Sequence, residues 1–185
     1  MATLTPLPTS SQEYTQLHNE FIYGMNSHSY QTNQNIISIL KIQMPNHIVK
    51  KHEDYKGQYS VQKVYHGTKQ RCNVKTTVIT NKLCSDQYCG VCGILRIGPR
   101  IPSMRDNGMI WFGCVSYISH DYTVLHGDCR AMFVMDVVRA TTQDGSVVTI
   151  NSAEVFAETP KQRWNISGNN KAMLYLDEDL RLIST

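Results

Sequence analysis

Four of the six cysteines in this 185-residue chain fall between Cys72 and Cys92. The stretch around them, residues 69–109, is rich in Cys, Gly, Pro and Asn and shows little periodicity. A segment of that length without regular structure, inside a compact domain, is normally cross-linked or functional. Which cross-link is available depends on the compartment. No apolar run approaches the ~20 residues needed to span a bilayer. The start, "MATLTPLPTSS", has neither the basic opening nor the continuous apolar stretch of a secretory signal. The chain is therefore expected to work inside a cell, in cytoplasm or nucleus, where cysteines are reduced thiols or metal ligands and not a disulfide framework. Cys84-x4-Cys89-x2-Cys92, with Cys72 upstream, suits a closed tetrahedral thiolate site for structural zinc. The competing reading is four small apolar side chains buried in a loop.

The remaining pattern is that of one α+β domain. At 41% hydrophobic and 18% charged, the composition is ordinary for a globular chain, and its length suits a single core. A net charge of +3, with scattered basic residues, gives no footprint for nucleic acid, and the cluster Lys50-Lys51 with Lys56 reads as a solvated helix face. Residues 1–9 read as a loose leader and 10–185 as the domain. Ser10 or Ser11 caps a helix through "QEYTQLHNEFIYGM", whose stripe is Tyr14, Leu17 and Phe21 and whose end is near Gly24. "NIISILKIQMP" predicts a strand covered on both sides, with Ile37 and Ile39 on one face and Ile36, Ser38, Leu40 and Ile42 on the other. "NHIVKKHEDYK" predicts a short helix capped by Asn46, and Gln58 to Tyr65 a strand. Later, "MIWFGCVSYIS" and "RAMFVMDVVRA" read as strands, "GSVVTINSAEVFA" as another, and "KAMLYLDEDLRLIST" as a closing hairpin or strand pair. "NIS" at Asn165 is a glycosylation sequon that matters only in a secreted chain.

Two short stretches could carry chemistry. The strand ending at Tyr65 runs into His66-Gly67-Thr68, which puts an imidazole at a rim beside a glycine that lets a ligand approach the backbone. A surface turn after a strand is the plainer account of the triplet. In "WFGCVSYIS", Phe112-Gly113 is followed by Tyr117, an aromatic that could stack on a flat ligand ring or simply pack in a core.

The order of these pieces, "ISILKIQMPNHIVKKHEDYK", "VYHGT", "FGCVSY", "RAMFVMDVVRA" and a closing strand with Tyr175, resembles the catalytic domain of the poly(ADP-ribose) polymerase-like, diphtheria-toxin-type ADP-ribosyltransferases. It looks most like a compact fungal branch, in which "HGT" plus a cysteine precedes "C-x4-C-x2-C" and an "FGxGIY" strand. The resemblance covers roughly residues 35–185. It implies split mixed or antiparallel sheets flanking an NAD cleft, with a few peripheral helices. It also implies single ADP-ribose transfer from NAD to a protein or other acceptor, with release of nicotinamide. On the matching positions, His66 would bond the adenosine ribose, Gly67 the nicotinamide carboxamide, and Tyr117 would stack on the nicotinamide. Thr68 would join them in binding the cofactor, and His66 and Tyr117 would be the catalytic pair. Tyr122 is the nearest candidate for a second stacking ring, in "ISHDY", a shortened form of the helix that normally walls the pocket. Val115 replaces a glycine of the family's second motif and Ser116 an apolar residue. Ala172 stands where polymerases carry a glutamate, which excludes chain elongation and leaves either single transfer or a catalytically impaired binding module. The expected partners are NAD and a protein acceptor, with no nucleic acid and no membrane. A third reading, a zinc-stabilised domain without nucleotide chemistry, rests on the cysteines alone.

Overall fold

The alternation in "RAMFVMDVV" becomes strand β5, Arg130–Val138, at the middle of the sheet. Ala131, Phe133 and Met135 go to one core and Met132 and Val134 to the other, as a two-residue period requires. The computed structural model describes residues 2–27, 34–56, 61–97, 112–123, 129–138, 155–156 and 171–177. Its other strands are β1 (Thr3–Pro6), β2 (Gln34–Gln43), β3 (Val61–Gly67), β4 (Phe112–Gly113), β6 (Val155–Phe156) and β7 (Lys171–Asp177). The helices are α1 (Gln12–Asn26), α2 (Asn46–Lys56), α3 (Val74–Thr80), α4 (Gly90–Ile97) and α5 (Ser116–His120).

The class is α+β, as the pattern predicts. The described strands pair in one antiparallel order, β1-β2-β7-β5-β3-β4-β6, where two sheets were expected. Strand β5 bridges β7 and β3, so the two halves share a central strand. Among the described residues no helix is long and apolar enough to cross a membrane.

Each face of the sheet has its own core. On one, α1 lays Leu17, Phe21 and Met25 over Ile36, Ile39, Tyr65, Met132 and Val134. On the other, Val91, Ile94 and Leu95 of α4 join Leu40, Ile42, Val64, Phe112, Phe133 and Met135. A buried side chain of this size contributes ~1.5–3 kcal/mol, so both faces are needed to hold the sheet.

Several local expectations change. Residues 3–6, expected to be a loose leader, form edge strand β1 on β2. The Ala2 amide also donates to the Leu95 carbonyl at 3.1 Å, which ties the start of the chain to α4. Ile36 shares a core with Ile39 because the register of β2 shifts between Ile36 and Ser38, leaving Ile37 exposed. Strand β3 continues two residues past Tyr65 and takes in His66 and Gly67. "GCVSYIS" is not a strand: only Phe112–Gly113 pairs, and Ser116 starts a helix. Gly24 is buried inside α1, which runs on to Asn26. The sequon at Asn165 and the end of the expected hairpin, residues 178–185, lie outside the described residues.

Ser11 is the cap of α1, its Oγ accepting the Tyr14 amide at 3.1 Å. Ser11→Ala is expected to cost ~1 kcal/mol in denaturant unfolding, the usual worth of such a cap. A change below ~0.3 kcal/mol would mean the helix is held by its packing alone.

Candidate functional site

The Cys-rich stretch is more regular than its composition promises. After β3 the chain passes Gln70, whose Nε2 donates to the Cys129 carbonyl at 2.8 Å and pins the strand exit to the start of β5. Cys72 follows. Asn73 caps α3, accepting from the Thr76 amide at 3.4 Å, and Asn81 ends it at φ 51°, the left-handed region that asparagine tolerates. That reversal returns the chain to Cys84. Asp86 then accepts the Tyr88 amide at 2.7 Å, a side-chain turn that sets Cys89 just before α4, with Cys92 in the first turn of that helix.

All four sulfurs converge, every Sγ lying within 4.8 Å of the others. Cys72 Sγ is 3.8 Å from Cys89 Sγ and 3.6 Å from Cys92 Sγ, and all six cysteines are unbridged. A tetrahedron with ~2.3 Å metal–sulfur bonds has edges of about 3.8 Å, so the spacing fits a four-thiolate metal ion. Disulfides would need sulfurs at about 2 Å. The four cysteines could therefore hold a metal ion, with no ligand position left open for water.

The surroundings favour negative charge at one sulfur. The Cys92 thiol donates to Cys89, and together with backbone N–H donors at Cys92 and Arg71 this outweighs burial and lowers the Cys89 thiol to about 4. The Arg71 amide lies 3.4 Å from that sulfur. Cys92 is driven up by its hydrogen bond to Cys89 and by burial, and burial lifts Cys72 to about 11. The thiols of Cys72, Cys89 and Cys92 thus titrate together, with negative charge favoured at Cys89 over Cys72 and Cys92. Thr77 Oγ1 lies 3.6 Å from Cys72 Sγ, and Arg96 donates to the Cys84 carbonyl at 2.6 Å, so outer contacts orient the ligands.

The second candidate is the end of β3. Val64 and His66 belong to the α4 side of the sheet, and the His66 ring packs 5.4 Å from Phe112, centroid to centroid. Tyr65 and Gly67 belong to the α1 side. Tyr117, expected to line the same NAD cleft as His66, packs against the α1-side core. The two rings thus stand on opposite faces, because Tyr117 lies on a helix that covers the α1 side of β3 and not on a strand beside it.

Helix α5 sits against glycines. A Cβ on Gly67 would coincide with the carbonyl oxygen of Ser119 and lie 3.1 Å from the Tyr122 Cβ. One on Gly24 would meet Ser116 Oγ at 2.5 Å, and one on Gly113 would meet Ser119 Oγ at 2.7 Å. The serines exploit this closeness: Ser116 Oγ donates to the Phe21 carbonyl at 2.7 Å and Ser119 Oγ to the Tyr65 carbonyl at 2.8 Å. Val115 precedes the helix in extended backbone.

Tyr122, 42% exposed, has its Cβ beside Gly67. Thr68 turns to the cysteine loop, its hydroxyl lying close to where a Cβ on Gly90 would be. Register sets His66 opposite Phe133 and Phe133 opposite Ala172, one row across β3, β5 and β7. Sequence reasoning missed Ser116, Ser119 and Gly90. The signal for the serines was a short Ser-rich segment following Phe112-Gly113, which read as a strand. Compared with protein-family models and with curated proteins, the chain has no match.

Proposed function

We propose that this chain is an ADP-ribosyltransferase-like domain, stapled by a zinc ion, that engages NAD at the end of β3 and transfers single ADP-ribose units. The observation that supports this reading is that Tyr122, a partly exposed aromatic residue, has its Cβ close to Gly67 at the end of β3. In the family the sequence resembles, the glycine holds the nicotinamide carboxamide beside a stacking ring. Here that ring would be Tyr122, since Tyr117 is committed to a core. His66, on the opposite face at the same strand end, would take the adenosine ribose around the rim. Position 172, where polymerases carry glutamate, falls in the row of His66, roughly 10 Å away by two inter-strand spacings. That agrees with the proposed alignment, and alanine there leaves no carboxylate to activate an acceptor for elongation. The bond from nicotinamide to ribose would break, nicotinamide would leave with the bonding pair, and an acceptor nucleophile would bond the ribose carbon. Positioning would supply most of the acceleration. Zinc is the metal proposed for the cysteines, because four thiolates in a closed tetrahedral set suit it best.

Titration calorimetry with NAD is expected to show saturable binding that Tyr122→Ala weakens ~10-fold, the worth of one stacking contact. Labelled NAD is expected to yield single ADP-ribose adducts or free ADP-ribose, and His66→Ala to abolish them. No heat at ~1 mM NAD would remove the nucleotide reading altogether. A second reading, a binding module without turnover, is favoured by the packing of a partly buried Tyr117 against the α1-side core and by Ala172. Saturable binding with no product would select it.

A further inference from the structure

We infer that the four-cysteine centre positions the His66-Gly67-Thr68 rim, with Thr68 as the positioning residue through which metal occupancy reaches it. The part that concerns NAD rests on the function proposed above; the mechanical coupling does not. Residues 68–71 belong to no helix or strand, so their placement depends on what they touch. Gln70 is tied to the start of β5, and several of the other contacts are with the cysteine loop. Gly90, between ligands Cys89 and Cys92, is pressed so close to Thr68 that no side chain fits between them. The Gly90 amide donates to the Lys69 carbonyl at 2.8 Å, and the Arg71 amide donates to Cys89 Sγ. Cys72 itself is a member of the cluster, four residues beyond Thr68.

The rim is thus clamped from two sides. Helix α5 presses on Gly67, and the start of α4 presses on Thr68. With a cation, Cys72 is tied to Cys89 and Cys92, and the segment between Thr68 and Cys72 is closed into a small ring. Without one, that ring is open, and hydrogen bonds worth about 1 kcal/mol each, the one from buried Gln70 among them, help to hold the segment. It is then expected to open locally before the sheet does.

The test compares metal-loaded wild type, chelator-stripped wild type and metal-loaded Gly90→Ala by amide hydrogen exchange. The zinc content of each is measured alongside. In stripped protein the amides of residues 66–72 are expected to exchange at least ~10-fold faster than in loaded protein, with the α1 amides changing less. Gly90→Ala keeps all four cysteines but drives a methyl into Thr68, so the same amides are expected to loosen with zinc retained. Gly90→Ala/Thr68→Ala, which removes the obstructing hydroxyl, is expected to restore protection. A purely structural role for Gly90 would show no such rescue.

Binding is linked in both directions, so NAD should tighten zinc against a competing chelator by the factor by which zinc tightens NAD. Should stripping unfold the whole chain, the Gly90→Ala comparison decides. Loss of zinc from Gly90→Ala that Thr68→Ala restores would show the same coupling from the metal's side. Exchange at 66–72 that matches wild type in Gly90→Ala, or that rises equally in α1, overturns the inference. If wild type binds no NAD, the functional proposal fails while the exchange result still stands. If NAD binds wild type and zinc-loaded Gly90→Ala alike, the coupling fails while the functional proposal survives.

Discussion

Cys92→Ser is expected to lower the melting temperature by about 10 °C or more, and removing the metal with a strong chelator to do the same. Cys92 is fully buried, and its sulfur lies 3.6 Å from that of Cys72 at the centre of the cluster. Serine is a poor zinc ligand, so the substitution removes the cation together with the cross-link between Cys72, Cys84 and the start of α4. Breaking a buried charged set by losing one partner costs ~3–5 kcal/mol. In a chain of this size each kilocalorie moves the midpoint by roughly 2–4 °C. Cys114→Ala is the control, a partly buried cysteine outside the cluster, with an expected cost under ~1 kcal/mol. Differential scanning calorimetry with metal analysis decides. Equal costs for the two substitutions, or less than about half an equivalent of zinc in protein purified without added metal, would mean the sulfurs meet only as packed side chains. The pH dependence has a definite sign. Thiols must lose their protons to bind a metal, and burial lifts that of Cys72 to about 11. The apparent metal affinity therefore rises with pH through neutrality and falls on acidification.

Gly67→Ala is the second large effect, about 3 kcal/mol of destabilisation. Its methyl would occupy the place of the Ser119 carbonyl oxygen, a backbone atom that moves only if α5 or β3 moves with it. Helix α5 has little freedom, since Ser116 is hydrogen-bonded to α1 and Ser119 to the Tyr65 carbonyl. Gly93→Ala makes the same chemical change with the opposite expected sign. A Cβ at Gly93 meets nothing within 4 Å, and the residue lies in α4, so alanine should stabilise by up to ~1 kcal/mol through helix propensity. Urea unfolding of the two variants side by side tests the account. A neutral Gly67→Ala would show that α5 does not press on the strand end, and the case for Tyr122 beside Gly67 would go with it.

The two stretches that seemed to carry chemistry were legible to different degrees. The cysteines could be read as a set because metal ligation imposes spacing along the chain, and Cys84, Cys89 and Cys92 satisfy it locally. Cys72 joins them only because Asn81 reverses the chain after α3. His66, Gly67 and Thr68 were read as one triplet with one purpose. In a strand, neighbours point to opposite faces, and His66 meets Phe112 on one side while Gly67 meets Ser119 on the other. The error about Tyr117 has the same root: a run of Val, Tyr and Ile among serines suits a strand as well as a short helix, and local sequence does not choose between them.

What the sequence determined alone was whatever depends on nearest neighbours. That covers the alternation of β5, the amphipathic stripe and serine cap of α1, and the local ligand spacing of the last three cysteines. Only the tertiary structure decided how distant segments touch. The pressure of α5 on Gly67, the pressure of Gly90 on Thr68, and the row joining positions 66, 133 and 172 each bring together residues 20 or more positions apart. Such contacts are set by how both faces of one sheet are covered at once, a condition on the whole chain that no single segment expresses.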